Sequence, residues 1–158
     1  MKNSYIYSFY IGILLTLTLT ITTWASTTYE TEPSSFQAEI LNLFNEKREE
    51  HGLSALSMEP QLNMVSDIRV RESSQLFSHT RPDGRRYSTA FSDMNISYRY
   101  SGEILAHGYK TPKHVVAGWL ESSGHHDLIL SENYTHVGIS HIAADNHLDY
   151  WAVIFISR

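Results

Sequence analysis

The sequence predicts an α/β protein built as a three-layer α/β/α sandwich around a small, mainly antiparallel central sheet. Two observations carry that expectation. Three segments repeat their apolar residues at helical spacing, and beyond Tyr134 the period switches to two and ends in the almost wholly apolar run Tyr150 to Ile156. A strand with no polar face has to be covered on both sides, which helices on both faces of a small sheet accomplish.

The elements follow in chain order. Lys2 is the only charge before Glu30, and the stretch between them runs through Ile11, Ile13, Leu14, Leu15, Leu17, Leu19 and Ile21 with threonines interleaved. One positive charge, an apolar centre and the small or short residues Thr23 and Ala25 ahead of Ser26 describe a secretory signal peptide over residues 1–25. The alternative is a membrane span that is retained, since the uncharged run is long enough to cross a bilayer. Either way the remaining chain is expected outside the cytoplasm, secreted or tethered to the outer side of the membrane. Residues 26–35, polar and containing Pro33, read as a linker, and residues 36–158 as one domain.

From Phe36 the helical period places Phe36, Ile40, Leu43 and Phe44 on one face. Glu46, Lys47, Arg48, Glu49 and Glu50 are expected on the solvent side, with Gly52 ending the run. A second helix begins near Glu59-Pro60, with Leu62, Val65, Ile68 and Leu76 on one stripe widened by Met64. Ser78 to Arg86 is a loop built on Pro82-Asp83-Gly84. Thr111-Pro112 starts a third helix that buries Val115, Val116, Trp119 and Leu120 and stops at Gly124. Val137, Ile139 and His141 then alternate with Gly138 and Ser140, and Ala144-Asp145-Asn146 turns the chain into the last apolar strand.

Composition narrows the function classes. A length of 158 residues with 42% hydrophobic and 18% charged residues describes one folded domain and excludes a disordered chain. The absence of cysteine removes thiol nucleophiles, cysteine zinc sites and iron–sulfur ligation. A net charge of −5 without a basic cluster argues against nucleic acid and against an anionic membrane surface as partners. The nucleophile elbow, dinucleotide loop, P-loop and zinc-protease helix are all missing. Nine histidines remain, of which His79, in Phe77-Ser78-His79-Thr80, and His125, after Gly124, accompany Glu103, after Gly102, on stretches read as non-helical. Their separations form no local metal motif, so spacing alone favours loop side chains over ligands.

The order of the motifs says more than their spacing. Phe77-Ser78-His79-Thr80 with Pro82-Asp83-Gly84 comes first, then Gly102-Glu103-Ile104-Leu105-Ala106 with Gly108-Tyr109. Thr111-Pro112 with Val115, Val116 and Trp119 follows, then Ser123-Gly124-His125 with Ile129-Leu130, Tyr134-Thr135 with Val137-Gly138-Ile139, and Tyr150-Trp151. This succession resembles the bacterial, SCP-like branch of the CAP superfamily, named for cysteine-rich secretory proteins, antigen 5 and pathogenesis-related proteins. The resemblance covers Phe36 to Arg158. It implies an α/β/α sandwich with an open cleft lined by two histidines and two acidic residues, which in some members holds zinc or another divalent ion.

Carried over by motif, the implied metal ligands are His79, Glu103 and His125. At the fourth position, where animal and plant relatives have glutamate, Ser122 stands, with Glu121 one residue earlier; a one-residue shift on a helix turns a side chain by about 100°. Ile104 replaces the asparagine usual in bacterial relatives. Glu121, Ser122 and Tyr109 are candidate cleft residues, and Tyr98, Tyr100 and Tyr109 flank the Glu103 stretch, where they suit a sugar, a lipid or simply one another.

Two functions are compatible with these residues. One is a secreted binding or interaction module whose cleft holds a divalent ion, zinc or a similar metal, and takes a small ligand, a lipid or a cell-envelope component. The other is a metal-dependent hydrolase of peptides or cell-envelope polymers with Glu103 as the catalytic base. A plainer possibility is that His79, Glu103 and His125 hydrogen-bond one another and tie loops together without metal. His141 and His126 are expected as a half-buried packing residue and an exposed one, and Trp119 and Trp151 as core.

Overall fold

Every residue of the last strand is buried, and its two sets of side chains enter different cores. The computed structural model describes residues 35–158, so the expected leader and all but the last residue of the expected linker lie outside the described residues. The elements are α1 (Ser35–Glu50), β1 (Ser57–Met58), α2 (Pro60–Gln75), α3 (Thr89–Asp93), β2 (Tyr100–His107), α4 (Pro112–Glu121), α5 (Ser123–Ile129), β3 (His136–Ala143) and β4 (Asp149–Ser157). Ser35, assigned to the linker from sequence, already belongs to α1. Among the described residues, no helix is long and apolar enough to cross a membrane.

The sheet has the order β1-β3-β4-β2; β1 runs parallel to β3, and the other two pairs are antiparallel. Alternation along β4 sends Trp151, Val153 and Phe155 into one core with Ile40, Phe44, Val115, Trp119 and Ile129, from α1, α4 and α5. Ile154 and Ile156 pack with Leu62 and Val65 of α2 and with Ala90 and Phe91 of α3, while Tyr150 and Ala152 join Val70 of α2. The three-layer sandwich expected from the two-sided apolar strand is therefore the observed architecture.

Several elements differ from expectation, each for a physical reason. Arg48, expected in solvent, is 1% exposed. Its Nε donates to the Ser54 carbonyl at 2.8 Å and its Nη1 to the carbonyls of Ile129 and Ser131 at 2.8 and 2.9 Å. It thus satisfies acceptors at and just beyond the C-terminal end of α5 that the helix leaves open. On α2 the buried stripe is Leu62, Val65, Ser66, Arg69, Val70 and Ser73, whereas Met64 and Leu76 are exposed. The helix lies so close to β3 that a Cβ at Gly138 would come within 2.1 Å of the Leu62 backbone. Small side chains are needed at such an approach, and Ser66 Oγ meets Ser140 Oγ at 2.8 Å.

The helix begun at Thr111-Pro112, expected to reach Gly124, breaks at Ser122, whose φ of −93° and ψ of 116° are extended; α5 then restarts at Ser123. Strand β2 was not recognisable from the residues alone, because Gly102 and the acidic Glu103 interrupt its apolar pattern.

Candidate functional site

Among the described residues, strand β2 pairs with β4 alone, with Glu103 opposite Ile154. Alternation sends Ile104 and Ala106 to the α1/α4/α5 core, while Leu105 packs with Val70 of α2. Glu103 shares the parity of Leu105, and its fully buried carboxylate meets Arg69 of α2. Arg69 Nε donates to Glu103 Oε2 at 2.6 Å and Nη2 to Oε1 at 3.2 Å. The same guanidinium donates to the Ser78 carbonyl at 2.8 Å and pairs with Glu72, so both the carboxylate and the start of the His79 loop hang from one arginine.

His79 completes the pair: its Nδ1 lies 2.8 Å from Glu103 Oε1. An ionised carboxylate only accepts, so in the neutral ring Nδ1 carries the proton and Nε2 the lone pair. The loop is itself braced. Tyr87 N donates to the His79 carbonyl at 3.0 Å, Arg81 N to the Arg85 carbonyl at 2.8 Å, and Gly84 turns the chain at φ +85°. Arg81 continues the ionic chain to Glu72 at 2.8 Å and Asp93 at 2.6 Å, and Asp93 in turn binds Arg85 at 3.0 Å. Among the described residues, no buried side-chain nitrogen or oxygen lacks a partner.

His125 enters from the opposite layer, in the first turn of α5, half-buried. Burial pushes its imidazole below the ordinary value, and the charge of His79 pushes it in the same direction. Between the two layers, the hydroxyls of Tyr87 and Tyr134 both donate to the Ser101 carbonyl, at 3.1 and 3.2 Å. Gly102 beside it leaves no room for a side chain, since a Cβ would stand 2.9 Å from Leu128 and from the Tyr134 hydroxyl.

The structure thus joins His79 to Glu103 directly and sets His125 within electrostatic reach. It leaves the other candidates elsewhere. Glu121 and Tyr109 line a separate depression of about 370 Å³ with Lys110, His114 and Gly118, a lining that includes none of His79, Glu103 and His125. Ser122 is the joint between α4 and α5; its carbonyl accepts His126 N at 2.8 Å. Among the described residues, no group of three or more histidine, aspartate and glutamate side chains converges on a common point able to hold a metal ion. His126 is half-exposed rather than fully exposed, and His141 is half-buried as expected, stacked on Trp151 at 4.0 Å and bonded to Asp149.

Sequence reasoning missed Arg69, Glu72 and Arg81. A signal for Arg69 was present: it lies seven residues after Leu62 and four after Val65, on the buried face of α2. A charge on an apolar stripe requires a buried partner of opposite sign.

A family model for the cysteine-rich secretory protein family (CAP) matches residues 41–155. The uncharacterized protein YkwD of Bacillus subtilis (strain 168) is 30% identical over 130 residues, covering 79% of this chain and 48% of that protein. An extracellular protein from Bacillus anthracis containing an SCP domain superposes with a TM-score of 0.69 at 24% identity, over 77% of this chain and 40% of the other. An outer surface protein of Borrelia burgdorferi superposes with a TM-score of 0.73 at 20% identity, over 80% of this chain and 96% of the other. The chain therefore spans about half the length of YkwD and nearly all of the Borrelia protein.

Proposed function

Since the chain belongs to the cysteine-rich secretory protein (CAP) family, we propose that it is an extracytoplasmic binding module whose cleft presents His79 and His125 to a divalent ion such as zinc. The observation that carries this reading is the 2.8 Å bond from His79 Nδ1 to a Glu103 carboxylate that Arg69 clamps in turn. A carboxylate that holds one imidazole nitrogen fixes the ring and turns the other nitrogen toward a metal. Burial lowers the proton affinity of His125 and so favours its neutral imidazole, the form that ligates.

The donor set fits a borderline ion held by two imidazoles, with water or ligand oxygen completing the coordination. A bound ion would supply Lewis-acid attraction for an oxygen donor, and the ligand classes that fit are small oxygen-rich molecules, lipid headgroups and cell-envelope components. Glu103 acts here as a positioning residue, because Arg69 and His79 engage both of its oxygens. That engagement weakens the case for hydrolysis, which needs a carboxylate free to take a proton from water. Export is supported by the character of residues 1–25 and by the extracellular Bacillus anthracis relative.

Zinc titration by calorimetry tests the reading on the wild type, on His79→Ala/His125→Ala and on Glu103→Gln. The wild type is expected to bind zinc, the double variant to lose that cleft binding, and Glu103→Gln to bind about 10- to 100-fold more weakly. A double variant that titrates as well as the wild type overturns the cleft assignment.

A further inference from the structure

Away from that cleft, a second pair of imidazoles is set by rigid structure. His51 follows the last turn of α1, just before Gly52 with its φ of +68°, and His126 lies on α5. Their ring centroids are 6.3 Å apart, with the planes at 83°. A metal ion about 2.0–2.1 Å from a ring nitrogen lies about 3.2 Å from that ring's centre, so the centres of two rings sharing one ion stand about 5.2 Å apart at a tetrahedral angle and about 6.4 Å apart when the two nitrogens lie trans across the ion. The observed separation matches the wide, trans-like arrangement as it stands, and a tetrahedral ion would draw the two rings about 1 Å closer.

The supporting scaffold points the same way. Buried Arg48, three residues before His51, donates to the carbonyls of Ile129 and Ser131, so the end of α1 is fastened to the end of α5. The segments that carry the two histidines are therefore joined through one buried side chain. His51 Nδ1 lies 2.9 Å from the Lys47 carbonyl, which can only accept, so the proton sits on Nδ1 and the lone pair on Nε2. His126 Nδ1 faces Asp127 Oδ1 at 3.4 Å, a longer contact that a carboxylate rather than a carbonyl supplies. Glu50 and Asp127 add negative charge beside the pair, and the nearby Lys47 is already engaged by Glu50.

We propose that His51 and His126 form a second site, for a borderline divalent ion of the zinc, nickel or copper type, independent of the His79/His125 cleft. The two imidazoles bind through Nε2, and water fills the remaining positions, so the site is open and exchanges readily. One ligand comes from the turn that follows α1 and the other from α5, so metal at this position also ties the end of α1 to α5.

The experiment is a Zn²⁺ titration of His79→Ala/His125→Ala, followed through the ring Cε1–H resonances of the remaining histidines. The His51 and His126 signals are expected to move together along one saturating curve. Adding His51→Ala or His126→Ala to that background is expected to weaken binding by at least about tenfold, since each removes half of a chelate. Glutamine at the same positions serves as the milder exchange, with circular dichroism verifying the fold of every variant. Signals that move with different midpoints, or a titration unchanged by His51→Ala and His126→Ala, overturn the proposal. The cleft assignment fails independently, when zinc binding by the otherwise wild-type protein ignores His79 and His125.

Discussion

The two faces of the sheet are built by different physics. Toward α1, α4 and α5 the contacts are aromatic and aliphatic: Phe44 stacks on Phe155 at 6.0 Å and packs against Trp119 at 5.9 Å. Toward α2 and α3 the helix approaches closely on serines, and a chain of charges runs from Glu103 through Arg69, Glu72, Arg81 and Asp93 to Arg85. Apolar packing is strong but carries no direction, whereas hydrogen-bonded charge pairs specify angle and tautomer. The face that must aim His79 is the one that carries the charges, and the opposite face supplies most of the burial.

The most severe test of this contrast pairs Trp119→Ala with Arg69→Ala. Each is expected to destabilise by about 3–5 kcal/mol, the first through a cavity and the second through an unpaired buried carboxylate. Urea unfolding separates the two causes once Glu103→Leu is combined with Arg69→Met. Removing both charges should restore most of the stability, because a buried ion pair is often replaceable by apolar residues of similar volume. Failure of that rescue would show that the ionic face also carries the fold, and would break the division of labour.

A smaller effect is expected in acid. Hydrogen bonds from Arg85 and Arg81 hold Asp93 below its ordinary value of 3.8, at about 2. The folded state then binds fewer protons than the unfolded one, so this contribution is complete above about pH 4 and is lost as pH falls toward 2. Asp93→Asn should flatten the fall in urea midpoint across that window, and an unchanged slope would remove Asp93 from the network's energetics.

The smallest effect concerns His125, on the other layer. Its lowered proton affinity means that stability is complete above its ordinary value of 6.5 and declines as pH falls below it, since the unfolded ring takes up the proton first. His125→Gln should reduce that mild decline without touching the steeper loss near pH 2 to 4. Coupled changes in both windows would show that the two faces are not independent.

What the residues revealed follows the same division. The apolar face was legible because periodicity reports burial directly: Phe36 to Phe44, Val115 to Trp119 and the last strand all pack as their spacing indicates. The ionic face was largely hidden, because Arg69 and Glu103 lie 34 residues apart and nothing local announces their meeting. His79, Glu103 and His125 were picked out by motif order, yet the arginine that orients the first two had no place in those motifs. On α2 the stripe was misjudged by one side of the helix, since the nearness of its backbone to Gly138 favours serine over the larger Met64 and Ile68. The break at Ser122, which separates α4 from the turn bearing His125, carries neither proline nor glycine to mark it.

The strand order has a kinetic consequence. Among the described elements β4 comes after the others in chain order, and both β2 and β3 need it as a hydrogen-bonding neighbour, with pairings that reach from Tyr100 to Ser157. A chain emerging from the ribosome N-terminus first therefore holds its helices and β2 without the strand that organises them. Long-range pairing of this kind is slow, because loop closure precedes any reward from the contact. Cooperative folding of this domain is therefore expected to begin only when residues 149–157 can enter the sheet.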